Sequence, residues 1–286
     1  MQNLDISSIP ELVAKQQLPL STVFSLFLNN IAYRTFFQHP QDSSMISVMH
    51  KLCFNPTLIN FGFHYILLGC KVELKQITLK PNTPYVLDLS DTINGGKLLY
   101  INYTAQNEGL YPIEMHGNCP MGHEYSIRKK LYPITMPHAI PKETPVSIMY
   151  AYSTKEQNAD IILHELIKAF ENIVKPDYAV SIMQLQIACE SALRRFIGRY
   201  TEDFSTFYKE LEKLPSYLSQ DNLPPIPDFI LDSVHKLRKI RNKLMHDGYL
   251  NNVSENDMKD FAIHAFLFCK YFEVMDIEKI LSNHTN

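Results

Sequence analysis

The chain has 286 residues, 45% hydrophobic and 20% charged, with a formal net charge of −3. That composition is globular and long enough for two domains whose cores need no covalent staple; it excludes a disordered chain and a global polycation that binds nucleic acid without a local patch. The five cysteines (Cys53, Cys70, Cys119, Cys189, Cys269) are scattered without a Cys-x-x-Cys spacing, and they read as reduced thiols of a cytoplasmic protein.

The first residues, MQNLDISSIP, lack the basic start and apolar run of a signal peptide. Residues 1–55 read as helical: IPELVAKQQ, then STVFSLFLNNIAYRTFFQ with Ser21 as N-cap, then a short helix within 42–53. The apolar run LPLSTVFSLFLNN is stopped by Asn29 and Asn30, well short of the roughly 20 residues that span a bilayer. No membrane contact is expected.

From about 60 to 152 the texture changes to strands. KVELKQITL alternates, KLLYINYTA alternates less cleanly, and the Asn94-Gly95-Gly96 turn between such runs reads as a hairpin. Recurring prolines, Pro81 to Pro145, space the short runs as in a β-sandwich. His116-x2-Cys119-x3-His123 offers zinc-ligand types, but no fourth ligand follows and a proline-flanked loop is the better reading. No metal and no cofactor are expected. Phosphate-loop, dinucleotide-binding, serine-hydrolase and HExxH motifs are all missing, which argues against those enzyme classes.

After Tyr152 the period becomes helical and stays so. Ser153-x-x-Glu156 reads as a capping box opening a first helix, and Pro176 suits the first turn of a second, PDYAVSIMQLQIACESALRRFIGRY. A third covers about 203–219, and the proline-rich DNLPPIPD separates it from a fourth, Asp228 to Asp247, stopped by Gly248. Ser254 can cap a fifth. The expected fold class is α+β: a mainly β, sandwich-like domain with a helical N-terminal segment over 1–152, and an all-α bundle of about five helices over 153–286.

The fourth helix carries an anomaly. Ile230, Val234, Leu237 and Leu244 form an apolar seam at helical spacing, and Arg241 occupies the missing position in it. A guanidinium there costs several kcal/mol unless it is paired or solvated. Either the seam opens into a wet cleft or the arginine meets an anion. Arg238, Asn242 and His246 step by four along the flank of the seam, with His235 bordering it. Such a strip can hold a phosphate and move a proton. Arginine followed five residues later by histidine is weak evidence alone, since Arg34 and His39 repeat it; Asn242 directly after Arg241 makes the pattern more specific.

Arg241-Asn242-Lys243-Leu244-Met245-His246 resembles the Arg-(Asn/Asp/His)-x3-His motif of the HEPN superfamily, with long helices before it and one after it. The resemblance covers about residues 154–276. It implies a metal-independent endoribonuclease in which His246 moves the proton, Arg241 stabilises the phosphorane and Asn242 orients phosphate or imidazole. The RNA 2′-OH would attack, leaving a 2′,3′-cyclic phosphate and a 5′-OH and excluding DNA. One histidine per chain must serve as base and acid, and family members pair two copies around a shared cleft. A homodimer is therefore expected, with the seam as interface. The family also implies toxin or antiviral roles. Arg194, Arg195 and Arg199, with Lys236, Lys239 and Lys243, are candidate RNA-backbone contacts, the alternative for the arginine patch being a solvated helix face. Glu190 is a candidate support for the motif or simply an intrahelical partner of Arg194. Tyr249 stands one position late for a related Arg-x4-His-x-Tyr pattern. A protein or ligand regulator is expected on the N-terminal domain. The rival readings are a non-catalytic dimerisation or nucleotide-binding module and a protein-interaction scaffold.

Overall fold

The computed structural model describes residues 30–38, 44–54, 63–105, 109–114, 127–137, 140–250 and 252–283. The class is α+β, with two antiparallel three-stranded sheets among the described residues. The chain divides into a helical unit, residues 1–56 with 161–286, and a strand unit, residues 57–160.

This division corrects the boundary expected at 152. The N-terminal helices α1 (Ile31–Gln38) and α2 (Ser44–Phe54) belong with the C-terminal bundle. The cause is aromatic packing. Tyr33 and Phe37 of α1 set their rings edge-on to Phe266 and Tyr271, at 5.6 and 5.1 Å between centroids, while Phe54 stacks on Phe170 at 5.6 Å. Rings of this size carry large apolar surfaces and prefer such offset or edge geometry. His50 adds a 2.6 Å contact to the Asp260 carboxylate.

The strand unit holds α3 (Phe63–Leu67), β1 (Lys71–Leu79), β2 (Tyr85–Asp88), α4 (Ser90–Ile93), β3 (Lys97–Ala105), β4 (Leu110–Glu114), β5 (Arg128–Thr135), β6 (Thr144–Ser153) and α5 (Lys155–Asn158). Strand order is β1-β6-β3 in one sheet and β2-β5-β4 in the other. Alternation buries Leu87 and Leu131 of the second sheet in one cluster with Ile77, Leu79, Val146 and Ile148 of the first. The expected Asn-Gly-Gly hairpin is corrected here. Asn94 is the left-handed C-cap of α4, and the turn leads from β2 in one sheet to β3 in the other. Gly96 is required there, because a Cβ would lie 2.0 Å from the Ser153 carbonyl oxygen. His116, Cys119 and His123 lie outside the described residues.

The helical unit continues with α6 (Ile161–Val174), α7 (Tyr178–Ile197), α8 (Phe207–Gln220), α9 (Asp228–Asp247) and α10 (Glu255–Asn283). The capping box stands one residue later than expected. Thr154 and Gln157 form it reciprocally, at 3.3 and 2.9 Å, on the short α5, while Ser153 ends β6. α6 is a separate helix. Pro176 precedes the N-cap of α7, Asp177, whose carboxylate accepts the Val180 N–H at 3.4 Å. α7 packs against α6, α9 and α10, and buries Ile182, Leu185, Cys189, Leu193 and Phe196. Its small Ser181 is completely buried and donates to the Ala169 carbonyl at 3.1 Å, which satisfies the hydroxyl inside the packing. Ser254 caps α10 as expected, exchanging bonds with Asp257 at 3.1 and 3.0 Å.

Candidate functional site on the fourth bundle helix

α9 begins after Pro227, whose φ of −54° is fixed by its ring, and ends where Gly248 turns left-handed at φ 75°. The Gly248 N–H donates to the Leu244 carbonyl at 2.9 Å and closes the last turn. Both bounds agree with the sequence reading.

Along α9 the environment changes at one point. Ile230, Val234 and Leu237 are at most 1% exposed. They are core of a single chain, enclosed with α7 and α10 packed against the helix, which corrects the expectation that they form the interface between copies. One turn later Arg241, Asn242 and Leu244 are half-buried, and Met245, His246, Asp247 and Tyr249 are exposed. The apolar seam opens where Arg241 enters it.

The arginines of the site are matched only by neutral groups. Arg241 Nη1 donates to Asn242 Oδ1 at 3.0 Å. That bond consumes the amide oxygen and leaves the Asn242 N–H groups available to an acceptor. Arg238 sits over the Tyr208 ring of α8, 5.0 Å from its centroid, and its Nε is buried without a hydrogen-bond partner. Arg238 and Arg241 are three residues apart, so they are neighbours on the helix surface. Neither half-buried guanidinium forms an ion pair among the described residues, although Glu212 and Asp232 act on the neighbouring Tyr208 and His235. An anion with several oxygens would complete both.

The other proposed contacts differ in how their charge is met. His235 lies 5.3 Å, ring to ring, from Tyr208. Burial, and then the charges of Lys239 and Arg238, hold its imidazole below the ordinary pKa, against a smaller opposing pull from Asp232 and Glu212. Lys239 and Lys243 are exposed. Lys236 turns to α10 instead, 3.6 Å from Asp257 and 5.4 Å above the Phe261 ring. On α7, Glu190 binds Arg194 at 2.7 Å, the intrahelical pairing, and Arg194 also covers Phe204 at 5.9 Å. Arg195 is exposed on the same helix.

Tyr208 is the residue that sequence reasoning missed. It is 39% exposed, the Glu212 carboxylate accepts its hydroxyl, and that bond together with the negative charge raises the phenol pKa. Its sequence signal is only a tyrosine in the first turn of a charged helix. Its partners lie about thirty positions away on α9. Among the described residues, no group of three or more His, Cys, Asp or Glu is placed to hold a metal ion. No described helix is long and apolar enough to cross a membrane.

Comparison of the chain with protein-family models, curated proteins and solved structures gives no match.

Proposed function

We propose that the helical unit is a HEPN-type, metal-independent endoribonuclease, and that the α9 ridge is its active site. One observation carries the reading: Arg238 and Arg241 are adjacent, half-buried and met only by neutral partners, one to two turns before an exposed histidine. In the proposed reaction the RNA 2′-oxygen attacks the adjacent phosphorus while its proton passes to an imidazole. The P–O5′ bond breaks, and the departing 5′-oxygen takes a proton from an imidazolium. The products are a 2′,3′-cyclic phosphate and a 5′-OH. His246 is the group for those transfers, since imidazole exchanges protons near neutral pH. Arg241 stabilises the charge that develops on the non-bridging oxygens, and Asn242 donates its free amide N–H to the same phosphate.

Each chain brings one such histidine, so the acid and base come from two copies. The core position of Ile230, Val234 and Leu237 moves the proposed contact to the open end of α9, where Met245 and Tyr249 are 58% and 57% exposed. The strand unit then serves to sense, recruit or restrain, through a protein or ligand regulator. A cytoplasmic toxin or antiviral effector is the role that fits this layout. A phosphate-gripping module without catalysis is the second reading, favoured by the single exposed histidine beside Arg241.

The test uses purified wild type and His246→Ala with mixed tRNA and single-stranded RNA in EDTA. Fragments with cyclic phosphate ends from wild type alone support the nuclease. Nucleotide binding by both proteins with intact RNA in every lane rejects it in favour of the binding module.

A further inference from the structure

The geometry points to a base-binding subsite beside the α9 ridge: we infer that Tyr208 and His235 hold the nucleobase of a ribonucleotide close to the phosphate gripped by Arg238 and Arg241. The inference rests on the nuclease reading for its substrate class, and it adds a specificity-determining residue, Tyr208, from a different helix.

Three observations converge. First, the two rings lie 5.3 Å apart at a 52° tilt, and Tyr208 remains 39% exposed, so part of its side chain is open to solvent beside His235. Second, the surroundings favour the uncharged form of both rings. Glu212 raises the Tyr208 phenol pKa, while burial, Lys239 and Arg238 lower that of His235 more than Asp232 and Glu212 raise it. Third, Arg238 touches both halves of the arrangement. Its guanidinium lies 5.0 Å above the Tyr208 ring, and it stands one turn before Arg241 on the same helix.

A nucleotide has the matching division: a planar uncharged ring that stacks on aromatic or guanidinium planes, joined to an anion that takes forked N–H donors. From Arg238 to His246 is eight residues, about 12 Å along the axis. A short stretch of single strand covers that span, with its base at the Tyr208 end and its phosphate over Arg241. The pair formed by Arg194 of α7 and Phe204, from the connection to α8, lacks the anion-binding half, because Glu190 already meets its cation.

The test is equilibrium binding by fluorescence anisotropy, using full-length protein carrying His246→Ala so that no probe is cut. Two probes are titrated: labelled octa-adenylate, and an octamer of abasic tetrahydrofuran phosphates. Adding Tyr208→Ala is expected to weaken octa-adenylate about tenfold, the effect of losing one stacked base. It should leave the abasic chain within about twofold, and Tyr208→Phe, which keeps the ring, should bind both like the parent. Equal octa-adenylate affinity with and without Tyr208→Ala overturns the subsite. So does an equal loss on both probes, which makes Tyr208 a prop for Arg238, and so does no binding of octa-adenylate by the parent. Cleavage of RNA by wild type with no Tyr208 effect sinks the subsite alone. Base-dependent binding without wild-type cleavage sinks the nuclease alone.

Discussion

Two regions of this molecule shield cations from water and treat them in opposite ways. In the strand unit Lys129 is 5% exposed, and its ammonium donates to Glu114 at 2.7 Å. The same carboxylate accepts the Tyr103 hydroxyl at 2.5 Å, so β3, β4 and β5 are joined through one charge-matched group. In the helical unit Arg238 leaves Nε buried without a partner, and Arg241 has the neutral Asn242. A matched buried pair needs nothing further from outside. An unmatched guanidinium is a local cost that an incoming anion removes. The first region is closed to further charge; the second is open to an anion.

The contrast can be broken most severely at Lys129. Lys129→Ala strands the Glu114 carboxylate, and the expected loss in denaturant-measured stability is about 3–5 kcal/mol. A loss under about 1 kcal/mol would mean that water already serves the carboxylate.

His64, 6% exposed in α3, supplies a pH-dependent counterpart in the strand unit. Burial lowers its pKa from 6.5 to about 4, and its Nδ1 has no partner. The unfolded chain therefore takes up a proton between those values while the folded chain does not. Stability is full above 6.5 and falls as pH drops toward 4, by about 3 kcal/mol over that window. His64→Phe is expected to flatten this acid limb in urea titrations at stepped pH. An unchanged slope would remove His64 from the account.

The helical side of the comparison is sharpened by Arg241→Ala, with an expected fall in RNA cleavage of about 100-fold or more and circular dichroism unchanged. Arg241→Lys should recover little of it, because a point charge does not reproduce the fork. Full activity in either variant would place the phosphate elsewhere.

Arg238→Met tests the idea of local cost. Removing the unpartnered guanidinium while keeping its apolar stem should leave stability unchanged or raise it by about 0.5–2 kcal/mol, while RNA affinity falls. Destabilisation would show that the Tyr208 contact is worth more than the unmatched group costs. The smallest effect is expected at Arg194→Ala, which loses a surface pair worth about 0.2–1 kcal/mol.

The sequence was most legible where signals are local. Gly248 after a run of apolar positions three and four apart placed the end of α9, and Arg241 interrupting that run marked the candidate site. Local grammar was ambiguous where two frames fit. Ser153-x-x-Glu156 and Thr154-x-x-Gln157 both read as capping boxes, and β6 claims Ser153 for its ladder opposite Lys97 of β3. What stayed hidden was non-local. Tyr33 and Phe37 form an amphipathic face that fits any partner, so nothing near them in sequence reveals Phe266 and Tyr271. The same holds for Tyr208, whose position over the α9 ridge comes from the path between α8 and α9. Asn94-Gly95-Gly96 failed for a related reason: a turn sequence fixes the reversal, while strand pairing decides which sheet receives the next strand.

The most direct measurement gives the wild-type protein, in EDTA, a DNA oligonucleotide containing a single ribonucleotide. One cut is expected, on the 3′ side of that ribonucleotide, with a 2′,3′-cyclic phosphate on one fragment and a 5′-OH on the other, and no cut with His246→Ala. Cleavage at deoxynucleotide positions, or an uncut ribonucleotide in a protein that cleaves RNA elsewhere by another end chemistry, would contradict the proposed reaction.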